Sequence, residues 1–74
     1  MDICIGLLIV LVCGPSPTIT NGGPVALPAF PVNVGTKIMY VCDKNYIFKG
    51  IGTNVTIECL LGGYWSEISN CVGK

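Results

Sequence analysis

The sequence contains no histidine and no arginine. Without histidine neither a Ser-His nor a Cys-His catalytic pair can be built. A mixed cysteine–histidine zinc site is excluded on the same ground. Without arginine the basic side chains are four lysines, balanced by four acids to a formal net charge of zero. Nucleic-acid binding needs clustered Lys and Arg that displace counterions from phosphates. Docking on anionic lipid needs a similar basic run, and neither kind of cluster is present. No two cysteines stand in C-x-x-C spacing, which removes the commonest metal hook. The longest apolar run, Ile3 to Val12, covers ten residues. That is roughly 15 Å as a helix, about half a bilayer core, and too short to span a membrane.

What the chain does have is five cysteines in 74 residues. A domain of this length buries too little apolar surface to be comfortably stable, and needs disulfides, a metal or a partner. Cys13, Cys42, Cys59 and Cys71 lie 29, 17 and 12 positions apart. Four spread cysteines in a small chain point to two disulfides and an oxidising compartment; three pairings are open on the count alone. Cys4 is the odd one. It falls in residues 1–12, an apolar segment whose length and position fit the core of a secretory signal peptide. The fit has two departures: Asp2 stands where a basic residue is usual, and Val10 and Val12 occupy the positions of a small-x-small cleavage site. As part of a removed leader, Cys4 needs no partner. The competing readings are a clipped N-terminus and an apolar strand or helix of the mature domain.

Composition changes at Cys13. All five prolines (Pro15, Pro17, Pro24, Pro28, Pro31) fall before residue 32. They exclude a helix and a central strand, so this stretch is expected to be extended and irregular. Asn21-Gly22-Gly23 reads as a turn. In Val34–Cys42, Ile38, Tyr40 and Cys42 alternate with Lys37, Met39 and Val41, which predicts a strand with the first three facing inward. Tyr46–Phe48 reads as a short strand after turn residues Asp43-Lys44-Asn45. Asn54–Cys59 alternates cleanly, with Val55, Ile57 and Cys59 on one side and Asn54, Thr56 and Glu58 on the other. Gly62-Gly63 makes a turn before Tyr64-Trp65. Nothing beyond Val12 has helical periodicity. The fold class is all-β: a small disulfide-stapled module with no helix beyond the N-terminal segment.

With these residues placed, the chain from Cys13 to Cys71 resembles the sushi module, also called the complement control protein module or short consensus repeat. The resemblance rests on Cys13-Gly14-x-x-Pro17-x-Ile19-x-Asn21-Gly22, then Val34-Gly35-Thr36 leading to Tyr40-x-Cys42. Tyr46 with Gly50, Ile57-x-Cys59, Gly63-x-Trp65-Ser66 and Cys71 follow in order. It implies pairing of Cys13 with Cys59 and of Cys42 with Cys71, and an elongated module with its termini at opposite ends. It also implies a core around Trp65, packed beside a disulfide with Tyr40 and Ile57, and with Tyr46 nearby. Two positions depart from the family pattern: Asn45 stands where glycine is usual, though Asn can adopt the left-handed conformation, and Ser69 stands where proline is common. Residues 72–74 read as an inter-module linker or a truncated C-terminus.

Each remaining candidate site has a plainer reading beside it. Ser66, Ser69, Glu58 and Glu67 could be imagined as catalytic groups, but nothing in the sequence brings them together, and they read as surface or framework residues; no enzymatic activity and no cofactor are expected. Asn54-Val55-Thr56 is an N-x-T sequon, with Asn54 on the polar side of its strand, and is expected to be glycosylated. Leu27 and Phe30 lie in an apolar, proline-rich stretch and are candidates for a protein contact; equally, they could fold back over a thin core. Lys37, Lys44 and Lys49 could form a weak basic contact face, or simply be solvated.

The resemblance implies a non-catalytic extracellular module that binds protein, the first module of a complement regulator or receptor-like protein. Its expected partners are activated complement fragments and neighbouring modules of a longer chain. Membrane attachment would require a segment outside this sequence. The expected location is secreted or on the extracellular face of the cell membrane. Alternatives are an adhesion or receptor spacer and a free-standing secreted disulfide-rich protein.

Overall fold

The computed structural model describes residues 10–74. Its backbone is organised around two long strands, β4 (Lys37–Cys42) and β6 (Asn54–Leu60). They pair antiparallel with Lys37 opposite Glu58 and Val41 opposite Asn54. The alternation in sequence is realised as expected: Ile38, Tyr40, Ile57 and Cys59 are buried, while Lys37, Met39, Val41, Asn54 and Thr56 are exposed. β2 (Gly22–Pro24) pairs with the free side of β4, and β7 (Tyr64–Trp65) with the free side of β6, which gives a four-stranded sheet in the order β2-β4-β6-β7. Two small ribbons flank it. β1 (Val12–Cys13) pairs with β3 (Val32–Asn33), and β5 (Tyr46–Phe48) pairs with β8 (Cys71–Gly73).

The register places the two disulfides at opposite ends. Cys59 lies near the Lys37 end of the central pair and is bonded to Cys13. Cys42 follows Val41 at the Asn54 end and is bonded to Cys71. The first bridge therefore anchors the N-terminal end of the chain, and the second anchors the C-terminal end. The radius of gyration is 15.2 Å, against roughly 11 Å for a compact domain of this length. The module is elongated, with principal extents of 56 × 24 × 16 Å.

The core is correspondingly thin and comes in two parts. One holds Ile38, Tyr40, Phe48, Ile57 and Cys71; the other holds Cys13, Val32 and Cys59. Phe30 and Trp65 pack against both and join them. Trp65 itself is only half-buried, whereas Tyr40, Phe48 and Ile57 are essentially sealed from solvent. The reason is positional: β7 is a two-residue edge strand, so its tryptophan closes the core from the side, while Tyr40 and Ile57 sit on the two central strands. Phe48, which its three-residue strand did not mark as core, is fully buried.

Three stretches differ from the sequence expectation. Gly22 and Gly23 are strand residues, paired with Cys42 and Val41, and the turn sits one step earlier at Asn21, whose φ is 60°. Pro24 follows them opposite Tyr40; β2 is an edge strand, where a missing amide is tolerated. Second, Val10–Val12 are joined to the module. Gly62 N–H donates to the Val10 carbonyl (3.1 Å), Val34 N–H donates to the Leu11 carbonyl (3.0 Å), and Val12 pairs with Asn33. The rest of the signal-like segment, residues 1–9, lies outside the described residues. Third, β8 continues past Cys71, with Val72 and Gly73 opposite Ile47 and Tyr46, and Lys74 N–H donates to the Asn45 carbonyl. Asn45 adopts φ 72°, so asparagine takes the left-handed turn position there.

Candidate protein-contact surface

The N-terminal segment after Cys13 is held against the sheet by side chains. The Tyr40 hydroxyl donates to the Pro17 carbonyl and shares a 2.8 Å hydrogen bond with the Ser16 hydroxyl. A buried phenol needs such a partner, and the proline-rich strip supplies two. The Trp65 indole N–H donates to the Gly14 carbonyl at 3.0 Å. The Phe30 ring meets Trp65 edge-on, with centroids 6.3 Å apart and an interplanar angle of 89°. On the other side, Ser66 is locked to Glu58 twice: its N–H donates to the Glu58 carbonyl, and its hydroxyl accepts the Glu58 N–H at 2.9 Å.

Between these two segments the surface opens into a shallow groove of about 720 Å³. Pro15, Pro17, Ile51, Val55, Trp65 and Ile68 give it an apolar lining. Ser66, Ser69 and Glu67 supply the polar part, and Glu67 is exposed. Apolar lining with a few polar groups is the composition of a contact site. Glu67 lines the groove and Glu58 does not, so the structure offers no acid pair in it. Among the described residues there is no group of His, Cys, Asp or Glu placed to hold a metal.

The five residues singled out for contact are not gathered into one patch. Phe30 turns inward against Trp65 and both core clusters, while Leu27 is 56% exposed. The apolar stretch is thus divided between the two readings considered for it. All three lysines are exposed. Lys37 opens β4 and Lys44 follows its far end, so the strand alone puts roughly 17 Å between them. That is about twice the screening length at physiological salt. The groove residues Ile51 and Ile68 carried no signal in the sequence except their isolation. Ile51 stands between two glycines, with φ of 78° at Gly50 and 142° at Gly52, and a bulky apolar residue in a tight turn is a weak pointer to a surface role.

A small all-β module stapled at both ends, with its sheet register fixed and a shallow apolar groove on its side, belongs to the class of small disulfide-stapled scaffolds. Comparison with known proteins makes the class specific. The Sushi repeat (SCR repeat) family matches residues 13–71, and the chain belongs to that family. Over 60 residues the chain is 33% identical to human complement factor H-related protein 5, an alignment that covers 81% of this chain and 10% of that protein. The chain thus spans about a tenth of that relative's length. No solved structure matches the chain. Among the described residues no helix is long and apolar enough to cross a membrane.

Proposed function

We propose that this is a non-catalytic extracellular module that binds protein in the manner of a complement regulator, with activated complement fragments as its partners. The observation that carries the reading is the groove beside Trp65, on a scaffold whose two ends are each closed by a disulfide. Such a scaffold presents side chains in fixed positions, which lowers the ordering cost of binding. The family, and the likeness to a protein named for its relation to a complement factor, support the choice of partner. In this reading the product is secreted or displayed outside the cell, and Val10–Val12, which are hydrogen-bonded to the module, stay with it.

A stable interface covers about 800 Å² of each partner. The accessible surface of the chain is 5031 Å², so one such footprint would take roughly a sixth of it. The groove is smaller than that. A lone module therefore binds weakly, and strength comes from several modules acting together.

The test is surface-plasmon binding of immobilised activated complement fragments to the module alone and to several copies of it joined in tandem. Weak binding by the single module, strengthened in tandem and reduced by Ile51→Ser and Glu67→Lys, supports the reading. A tandem protein that binds none of the fragments overturns the complement assignment. Binding unaffected by both groove substitutions overturns the assignment of the site.

A further inference from the structure

The outer face of the four-stranded sheet carries an apolar strip. Ile38 and Tyr40 point inward along β4, so Met39 and Val41 point outward and are 45% and 37% exposed. The Val25 N–H donates to the Met39 carbonyl, which extends β2's line past Pro24 and sets Val25, 57% exposed, beside Met39. Exposed apolar residues standing singly need no explanation; Val25, Met39 and Val41 stand together, and what lies beside them decides whether the strip is covered.

The register identifies what stands next to it. Val41 lies opposite Asn54 and Met39 opposite Thr56. Asn54 and Thr56 are the two defining residues of the N-x-T sequon, both exposed and both on this outer face. Cross-strand partners have Cβ atoms about 4.5–5.5 Å apart, so a group carried by the Asn54 side chain starts at the border of the strip. A pyranose ring has one face of C–H groups, and that face suits an apolar side chain.

We propose that Asn54 carries an N-linked glycan whose first sugars lie over Val41 and Met39, so that the carbohydrate is the cover of this sheet face. In the attachment step the Asn54 amide nitrogen displaces pyrophosphate from the anomeric carbon of a lipid-linked donor sugar. The C–N bond forms, the C–O bond to pyrophosphate breaks, the amide nitrogen gives up one proton, and the lipid pyrophosphate leaves as an anion. The proposal rests on the extracellular reading, because the donor is met only in the secretory pathway. It leaves the groove open to a partner, since Val55 in the groove and Asn54 alternate to opposite faces of β6.

The experiment uses the full chain secreted from animal cells, in three forms: intact, trimmed enzymatically to a single sugar, and as Thr56→Val, which removes the sequon and keeps Asn54. Intact mass reports the glycan. Dilute peroxide then probes the strip, with Met39 sulfoxide followed by peptide mapping. Oxidation of Met39 is expected to be severalfold slower in the intact and single-sugar forms than in Thr56→Val. Enzymatic release of the whole glycan from the folded intact form (Asn54→Asp) should raise Met39 oxidation to the Thr56→Val rate. Because Thr56, the cross-strand partner of Met39, is unchanged there, a folding defect in the variant does not decide the result; release that leaves Met39 oxidation slow overturns the covering role. Equal oxidation rates in all three forms overturn the covering role. A chain that stays inside the cell on its own leader, yet is glycosylated when given a foreign leader, counts against the extracellular reading alone. A chain driven through the pathway by a foreign leader that emerges unmodified at Asn54 overturns the site.

Discussion

Gly22→Ala should be a strongly damaging single-methyl change. Gly22 pairs with Cys42 where β2 crosses the Cys42–Cys71 bridge. A Cβ added there would stand 2.6 Å from the Val41 carbonyl oxygen, 2.8 Å from the Cys71 Sγ and 3.1 Å from the Cys42 Cα. None of these is the free end of a flexible side chain. Two are backbone atoms of a central strand and the third is a bridged sulfur, so β2 must move off β4 or the bridge must shift. Overpacking a rigid site costs about 1–3 kcal/mol, and the stiffness of these neighbours places this case near 3. For a domain of this size that is a fall in Tm of roughly 12–24 °C. The control is Gly23→Ala, one residue on, where an added Cβ meets nothing within 4 Å; it should be neutral or up to about 1 kcal/mol stabilising, because alanine restricts the unfolded chain. Both are read by urea denaturation of the oxidised protein, followed by Trp65 fluorescence, with a thiol count to show whether the second bridge has formed. If Gly22→Ala unfolds at the same urea concentration as Gly23→Ala, the reasoning that glycine is needed there for space is wrong.

The bridges, the Tyr40 tether and the N-terminal pairing each give a further expected outcome. Replacing Cys42 and Cys71 together by alanine frees a separation of 29 residues, and replacing Cys13 and Cys59 frees 46; on chain-entropy grounds these cost about 3.6 and 4 kcal/mol, enough for either variant to lose most of its cooperative urea transition at 25 °C. Tyr40→Phe removes the donor to Pro17 and should cost about 1 kcal/mol; a thermal scan unchanged from the parent would show that this hydrogen bond contributes nothing net. A chain begun at Cys13 loses the acceptors at Val10 and Leu11 and the Val12–Asn33 pairing. Relative to a chain begun at Val10 it should be about 1–3 kcal/mol less stable, with faster amide exchange at Gly62 and Val34; unchanged exchange at both amides would mean that residues 10–12 do not hold to the module.

The parts of the fold legible in the sequence were those in which period-two alternation met β-forming side chains. Ile38 and Tyr40 against Lys37 and Met39, and Ile57 and Cys59 against Asn54 and Thr56, needed only the pleat to be placed correctly. The strands that escaped were those built by their partners. Gly22-Gly23-Pro24 has no strand propensity, and becomes a strand because β4 offers it a free edge and the Cys42–Cys71 bridge admits only a glycine beside it. Val32–Asn33 and Val12–Cys13 are two residues each, too short to show a period; the Cys13–Cys59 bridge ties the second to β6, and Val32 packs against that bridge. Phe48 was missed as core because three residues are too few to show a period, and its burial is decided by the cluster of Ile38, Tyr40, Ile57 and Cys71 that it joins. The groove was less legible still, since its lining comes from four separated stretches that no local pattern connects.

One consequence of the alternation reaches the surface. Because β6 turns Asn54 and Thr56 out on one side and Val55 and Ile57 in on the other, the sequon and the groove are separated by the thickness of the sheet. The same geometry puts Met39 and Val41 on the sequon side and Tyr40, which tethers Pro17 at the groove margin, on the other. A module only 16 Å deep in its thinnest direction has little room to serve two partners from one face. Carbohydrate on the outer face and protein at the groove are therefore compatible, and each narrows the surface left for the other. The two faces can be tested separately: substitutions at Ile51 and Glu67 should alter partner binding without changing Met39 oxidation, and loss of the sequon should do the reverse. Crossed effects, with groove substitutions exposing Met39 or sequon loss abolishing partner binding, would mean that the sheet does not insulate its two faces.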